Sequence, residues 1–205
     1  SQLCRPRGQI HGPARGYAAE TVSGFLFAFL CAVLAGIGAR DSVLVAQLSA
    51  RLGAHLGLLI AALAAAIATS AAAAWAATTL GAHMTGSARL LFAAIALGIA
   101  GIEALLLGIR KAPAEPTRSL FAAALVLFSQ QITDAVRFVI LALALLTAAP
   151  ISAGMGGACG SAALLIAAWA LPELAAATWL ATARRLAGGV LLIAALTLAW
   201  RVFGA

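Results

Sequence analysis

Two short polar clusters interrupt long apolar runs of the sequence, and their residues are the ones best suited to chemistry. The clusters lie at residues 36–42 and 130–137. Each contains one carboxylate and one guanidinium, so their formal charges cancel. A divalent cation commonly requires two or more carboxylates, and the charge count therefore argues against simple divalent-cation binding. The candidate central polar site comprises Gly38, Arg40, Asp41, Ser42, Gln130, Gln131, Thr133, Asp134 and Arg137.

The composition around these clusters indicates an integral, multi-pass membrane protein. Hydrophobic residues make up 64% of the 205 residues and charged residues only 9%, and the mean hydropathy is +1.07. Soluble domains contain about 25% charged residues, so a lipid bilayer must cover most of this surface. Backbone polar groups must then be paired internally. The long runs of Ala, Leu and Ile predict helices rather than the alternating strands of a barrel.

The basic residues favour a membrane over a nucleic-acid partner. The net charge is +7, but the Lys and Arg residues stand singly or in pairs near the predicted span ends, where membrane proteins place them. Examples are Arg51, Arg89, Arg110, Lys111, Arg184 and Arg185. The three cysteines lack CxxC spacing, so we expect free thiols rather than a zinc site or a disulfide framework.

The length leaves room for six spans of ~20–25 residues with short connections. We predict a flexible basic arm at 1–19, a first three-helix repeat at 20–110, a linker at 111–118 and a second three-helix repeat at 119–205. The linker holds Pro113 and Pro116, which break helices. The fifth span is expected to reach Trp179, and the sixth to begin near Leu186.

The two halves share one pattern: a long span with a polar break, an Ala-rich span, a short turn and a third span. An odd number of spans per half gives the halves opposite orientations, so the predicted fold is all-α with six transmembrane helices in two inverted repeats. Such transporters bind substrate near the midplane, between the repeats. Small residues, Gly98 with Gly101 and the glycines of 154–160, are expected to be close-packing sites.

The charges of the two clusters are expected to pair across the repeats, Arg40 with Asp134 and Asp41 with Arg137. A charge in the middle of the membrane costs several kcal/mol, of order ~2.5–3.5 on insertion scales, unless it is paired or hydrated. A local alternative stays open, in which Asp134 and Arg137 pair on one helix and Arg40 extends to the interface.

Other polar residues also have two possible roles. Gln130 and Gln131 fit a polar cavity and an interhelical hydrogen bond equally well, whereas Gln47 favours the hydrogen bond. Glu103 lies in the third span and can face the bundle interior, but we expect it to reach water near a span end. His55 and His83 lie in connections without a second ligand at metal spacing, so solvated side chains are expected.

The aligned segments AGIGARDSVLVAQLSARL and QQITDAVRFVILALA resemble the Gdt family of membrane proteins, which is associated with manganese/calcium–proton exchange and related to the lysine-exporter superfamily. That family carries two E-x-G-D-(K/R)-(S/T) motifs, one in the first span of each half. The first segment keeps Gly38, Arg40 and the trailing Ala50-Arg51, and the second keeps Asp134. The resemblance implies an inverted-repeat fold and manganese or calcium as the bound cation.

Several residues differ from the family motif, and these differences affect the cation binding that the resemblance implies. Gly36 and Gln131 replace the family's glutamates, and Ala39 replaces the first aspartate. In the second half, Thr133 and Ala135 replace the glycine and the basic residue. Asp134 is therefore the one acidic residue at a motif position, and a weak metal-ligand candidate.

Two functions follow as hypotheses. The first is an ion transporter whose divalent-cation selectivity is altered or lost, which requires a hydrated cavity reaching Arg40 and Asp134. The second is a non-transporting scaffold or accessory subunit, which requires dry packing there and an apolar face for membrane-protein partners or a homo-oligomer. No phosphate loop, catalytic triad or haem motif occurs, so we expect no enzyme. The two predicted sides of the membrane hold five and six basic residues, so the count does not orient the chain. If the basic arm is left out of the count, the linker is expected in the cytoplasm, and the family resemblance implies the same.

Overall fold

The computed structural model describes residues 14–106, 120–173, 177 and 179–204, and these residues form α-helices without a β-strand. The linker at 111–118 lies outside the described residues, as do residues 1–13 of the predicted arm. In chain order the helices are α1 (Ala14–Gly36), α2 (Arg40–Leu52), α3 (Leu56–Ala82), α4 (Gly86–Leu106), α5 (Leu120–Ile132), α6 (Ala135–Thr147), α7 (Pro150–Ala170) and α8 (Trp179–Phe203).

The membrane class is confirmed, with two of the expected spans broken. Helices α3, α4, α7 and α8 are each long and apolar enough to cross a bilayer. The pairs α1–α2 and α5–α6 qualify when each is counted as one span, bent by 62° and 49° respectively. The described part of the chain thus has four candidate spans, or up to six with the bent pairs.

Two predicted boundaries were wrong. Helix α1 begins at Ala14, inside the predicted arm, because Ala, Arg and Glu favour helix even without an apolar period. Helix α7 ends at Ala170, before Pro172, and α8 already begins at Trp179. The pair Arg184-Arg185 therefore lies inside the last helix rather than at a span end.

The break in the first span depends on a glycine. Gly38 has a φ of +69°, a left-handed conformation that other residues rarely adopt. A Cβ there would also come within 3.1 Å of the Leu180 carbonyl oxygen. Gly38 thus allows the backbone to turn and lets α8 approach it closely.

The break in the second span is stabilised by an N-cap. Asp134 has extended backbone angles, and its Oδ2 accepts a hydrogen bond of 3.3 Å from the Val136 N–H at the start of α6. N-capping satisfies one of the backbone donors that a helix start leaves free. Each broken span therefore presents the N-terminus of its second helix, α2 or α6, at the break.

Glycines bring the helices together, as predicted for residues 154–160. A Cβ on Gly156 would collide with the Phe25 carbonyl, and one on Gly160 would lie 2.7 Å from the Phe29 carbonyl oxygen, so α7 packs directly on the α1 backbone. On the other side, Gly101 of α4 meets α8: its Cβ would lie 2.9 Å from a carbonyl oxygen of that helix. Small residues allow this close approach where no hydrophobic effect drives helices together in lipid.

The interior of the bundle is rich in alanine, and the large apolar side chains point outward. Ala28, Ala93 and Ala142 are fully buried. Trp75, Leu106 and Phe203 are at least 70% exposed, which suits contact with lipid chains. Cys31 and Cys159 are free thiols, as expected.

Candidate functional site

Glu103 is the centre of a buried ion-pair network. It lies on α4 and is 6% exposed. Its Oε1 is 2.9 Å from Nη2 of Arg40, at the start of α2. Arg184 Nη2, from α8, donates to both carboxylate oxygens at 2.8 and 2.7 Å. One carboxylate thus forms salt bridges with two guanidinium groups, from helices in both halves of the chain.

Arg184 connects this network to both broken spans. Its Nη1 donates to the Gly38 carbonyl oxygen at 3.1 Å, at the first break. Its Nη2 lies 3.9 Å from Oδ1 of Asp134, at the second break. With only 2% of its surface exposed, Arg184 lies in the protein interior. Since a buried charge is costly unless paired, these contacts bind α8 to the two breaks.

The pairings expected from the sequence are not formed as direct salt bridges, although the charge of Asp41 acts on Arg137. Neither Arg40 with Asp134 nor Asp41 with Arg137 forms a salt bridge among the described residues. The local alternative also forms no direct salt bridge among the described residues: the Arg137 N–H donates to the Asp134 carbonyl oxygen at 3.0 Å, and the two side-chain charges interact without direct contact. Arg40 does not extend to an interface, because Glu103 supplies a carboxylate inside the bundle.

Glu103 and Arg184 are the functional candidates that the sequence analysis misplaced. Glu103 was expected to reach water, and Arg184 was counted among basic residues at span ends. One signal was available: a carboxylate within an apolar helix requires a cationic partner. Arg184 is followed directly by Arg185, which is exposed. The two arginines therefore lie on different faces of α8, one buried in the bundle and one exposed.

Both aspartates of the clusters serve helix starts. Asp134 is 1% exposed; its Oδ2 caps α6, whereas its Oδ1 has no hydrogen-bond partner in the described part of the chain. Asp41 is 5% exposed, and its Oδ1 accepts from the N–H of Ser42 at 2.7 Å and from its hydroxyl at 3.4 Å. Asp134 therefore keeps one unoccupied acceptor oxygen next to Arg184.

Arg137 has a different environment from Arg40 and Arg184. It is 4% exposed, and its Nη1 donates to the hydroxyls of Ser70 and Ser161 at 3.0 Å each. The serines lie on α3 and α7 and are themselves buried. Hydroxyl oxygens thus contact this guanidinium where carboxylates contact the others.

The remaining predicted residues divide between the interior and the surface. Gln131 is fully buried, and its Nε2 lies 3.4 Å from the Ala62 carbonyl oxygen, the interhelical hydrogen bond that was one of its two readings. Thr133 is exposed; its carbonyl oxygen lies 3.5 Å from Arg40 Nη2, while its hydroxyl bonds within α5. Gln130 is half-buried beside it.

Two cavities are lined by residues that contact or neighbour the charged side chains, but no charged residue lines either of them. One, of about 140 Å³, is lined by the first break, including Gly38 and Ser42, and by apolar residues of α7 and α8. The other, of about 390 Å³, lies between α3 and α7 and is lined by Ser70. Both have mostly apolar walls, so polar contacts come from a few side chains.

The donor set does not favour a divalent cation. In the described residues, no group of three His, Cys, Asp and Glu side chains is placed to hold a metal ion. The buried carboxylates Asp41, Glu103 and Asp134 are balanced by Arg40, Arg137 and Arg184. A Ca²⁺ site needs six to eight oxygen ligands with an excess of negative charge, whereas Glu103 is already bound by two arginines.

The sequence matches no family model, and no curated protein and no solved structure is significantly similar to it.

Proposed function

We propose that the protein is an ion transporter built from two inverted repeats, whose central site has lost selectivity for divalent cations. One observation carries this proposal: two broken membrane spans meet at a buried, charge-balanced network formed by Arg40, Glu103, Arg184 and Asp134. Broken helices whose half-helix ends point at a buried polar site are typical of secondary transporters. Intramembrane charges are costly and mark ion or proton pathways.

The helix contacts support an inverted repeat. Helix α3 packs on α7 and α4 packs on α8, while α1 packs on α7 as α5 packs on α3. Exchanging α1–α4 with α5–α8 maps these four pairings onto one another, as a twofold relation between two halves would require, whereas the packing of α4 on α6 has no comparable counterpart between α8 and α2. The polar network would then lie where the two halves can move against each other.

Asp134 is the residue we assign to proton binding. Its Oδ1 is buried, has no hydrogen-bond partner in the described region and lies 3.9 Å from Arg184. A proton on this oxygen would remove the negative charge that faces Arg184. Arg184 would then depend on Glu103 alone, which weakens the link between α8 and the second break. Proton binding would thus be coupled to the contact between the halves.

Purified protein in liposomes tests the proposal by flux measurements of protons, manganese and calcium. We expect proton flux above that of empty liposomes, lost in Asp134→Asn and kept in the exposed control Glu173→Gln. Manganese or calcium flux that depends on Asp134 would contradict the loss of divalent selectivity.

A second function, a non-transporting scaffold subunit, is favoured by the dense packing around Gln131, Asp134 and Arg137, each at most 4% exposed. It predicts no flux of any of the three ions. It also predicts that the protein co-purifies with a membrane partner, which would contact the exposed apolar residues Leu186, Val190 and Trp200 of α8.

A further inference from the structure

Arg89 lies in the first turns of α4, ~21 Å along that helix from Glu103 at 1.5 Å per residue. It is half-buried, and its Nε and Nη2 donate to the Gly81 carbonyl oxygen at 3.0 and 2.6 Å. It forms no salt bridge with another residue in the described part of the chain. A guanidinium has five N–H donors in a fixed fork. The edge formed by Nη1 and Nη2 therefore remains available for a bidentate acceptor such as a phosphate.

A cavity of about 180 Å³ is lined by Arg89 itself. Its other walls come from the end of α3 and from the α6–α7 connection, and include Gly81, Ala148 and Pro150. The 27 residues of α3 rise ~40 Å, whereas the hydrocarbon core of a bilayer is ~30 Å thick. The end of α3, and with it Arg89, therefore lies at the level of the lipid headgroups.

This cavity adjoins the cleft between α3 and α7. Thr78 lines both, and the cleft follows α3 from there to Ile67 between mostly apolar walls. The rise from Gly81 to Ile67 is ~21 Å, longer than the ~15 Å of one leaflet. Ile151 and Met155 on the α7 wall are 75% and 59% exposed, so the cleft opens toward lipid. The cavity and the cleft together form a groove, the Arg89 groove, with a charged end at headgroup level and an apolar course as long as an acyl chain.

We propose that the Arg89 groove binds an anionic phospholipid. The phosphate accepts from the Nη1 and Nη2 edge of Arg89, and one acyl chain passes Thr78 and lies along the cleft between α3 and α7. A zwitterionic headgroup would bring its own cation next to the guanidinium, so charge complementarity selects a lipid with net negative charge. Basic pockets between membrane helices are typical sites for such headgroups. The site does not depend on the proposed transport function.

Native mass spectrometry tests this binding without a flux assay. The full chain in detergent is titrated with phosphatidylglycerol and, in parallel, with phosphatidylcholine of the same acyl chains, and the dissociation constant of the first bound lipid is measured. We expect phosphatidylglycerol to bind about tenfold more tightly, a factor equal to ~1.4 kcal/mol and typical of one charge-assisted hydrogen bond. Excess inorganic phosphate should not displace it, because the acyl chain contributes to binding.

Variants separate this site from general attraction to a basic protein. Arg89→Gln should reduce phosphatidylglycerol binding to the level of phosphatidylcholine, and Arg89→Lys should keep part of the preference, since lysine retains the charge but not the fork. The matched control is Arg201→Gln, which should change nothing. Arg201 is exposed in the last turn of α8, and α8 packs antiparallel to α4, so it lies toward the same membrane face. Thr78→Phe leaves Arg89 in place and blocks the groove, so it should weaken phosphatidylglycerol binding several-fold even if Arg89→Gln does not fold.

Equal dissociation constants for the two lipids would overturn the proposal. A preference that survives in Thr78→Phe and in a folded Arg89→Gln would overturn it as well, and so would a preference lost equally in Arg201→Gln, which would indicate surface charge alone. Displacement by inorganic phosphate would replace the lipid with a soluble anion as the occupant and refute the assignment.

Discussion

Replacing Glu103 with glutamine removes the carboxylate that the half-buried Arg40 and the buried Arg184 share. Arg40 would keep only its contact with the Thr133 carbonyl oxygen at 3.5 Å, whereas Arg184 would keep its hydrogen bond of 3.1 Å to the Gly38 carbonyl oxygen and its 3.9 Å approach to Asp134. No carboxylate would then lie within strong hydrogen-bond distance of either guanidinium. The change preserves side-chain volume, so it tests charge rather than packing.

The expected loss follows from the burial of the network. The side chains of Glu103, Arg40 and Arg184 are 6%, 14% and 3% exposed, so solvent screens their charges little. Removing one partner of a buried ion pair costs about 3–5 kcal/mol, because the other charge stays buried. With ~2–4 °C of melting temperature per kcal/mol for a chain of this size, we expect the melting temperature of Glu103→Gln to fall by about 6–20 °C.

Thermal unfolding in detergent, followed by tryptophan fluorescence, measures this loss. The control Glu173→Gln makes the same chemical change at an exposed carboxylate and should leave the melting temperature unchanged. In the double variant with Arg184→Gln, the second change should cost much less than it does alone, since the pair is already broken. A Glu103→Gln protein that melts with the wild type would refute the assignment of Glu103 as the shared counter-ion.

Three further predictions concern the breaks and the helix packing. Gly38→Ala should lower the free energy of unfolding by at least ~1–2 kcal/mol, because it places a side chain at positive φ; Gly189→Ala, where a Cβ has open space, should be neutral or stabilising in the same melt. Gly160→Leu should separate α1 from α7 and abolish the monodisperse peak in size-exclusion chromatography, whereas Gly86→Leu, also in open space, should keep it. Asp134→Ala removes the α6 N-cap at a cost of ~1 kcal/mol, and Asp134→Asn, which can still cap, should melt measurably higher than the alanine variant.

Local signals were sufficient for the membrane class and for the two breaks. Polar residues at matching positions in two apolar runs predicted interruptions near Arg40 and Asp134, and the helices break at both places. These are properties of neighbouring residues, which a single sequence displays directly. The inverted repeat and the family resemblance remain predictions.

The ion pairs could not be predicted in the same way, because they join distant residues. Charge counting included Arg40, Asp41, Asp134 and Arg137 but left out Glu103 and Arg184, whose contact depends on how α4 packs against α8. That packing is set by Gly101 and its neighbours on α8, which bring the backbones close. The partner of a buried charge follows from helix packing, which periodicity does not reveal.

The position of Arg184 in the last helix also orders the steps of biosynthesis. In a chain made from its N-terminus, Glu103 leaves the ribosome 81 residues before Arg184, which is about 4–16 s at usual elongation rates. Arg40 is available earlier, so Glu103 first meets a single guanidinium. Arg184 can contact Glu103 and the Gly38 carbonyl oxygen only after α8 has entered the membrane. Insertion of α8 therefore completes the polar centre, and translation stalled before α8 leaves Asp134 without the guanidinium of Arg184.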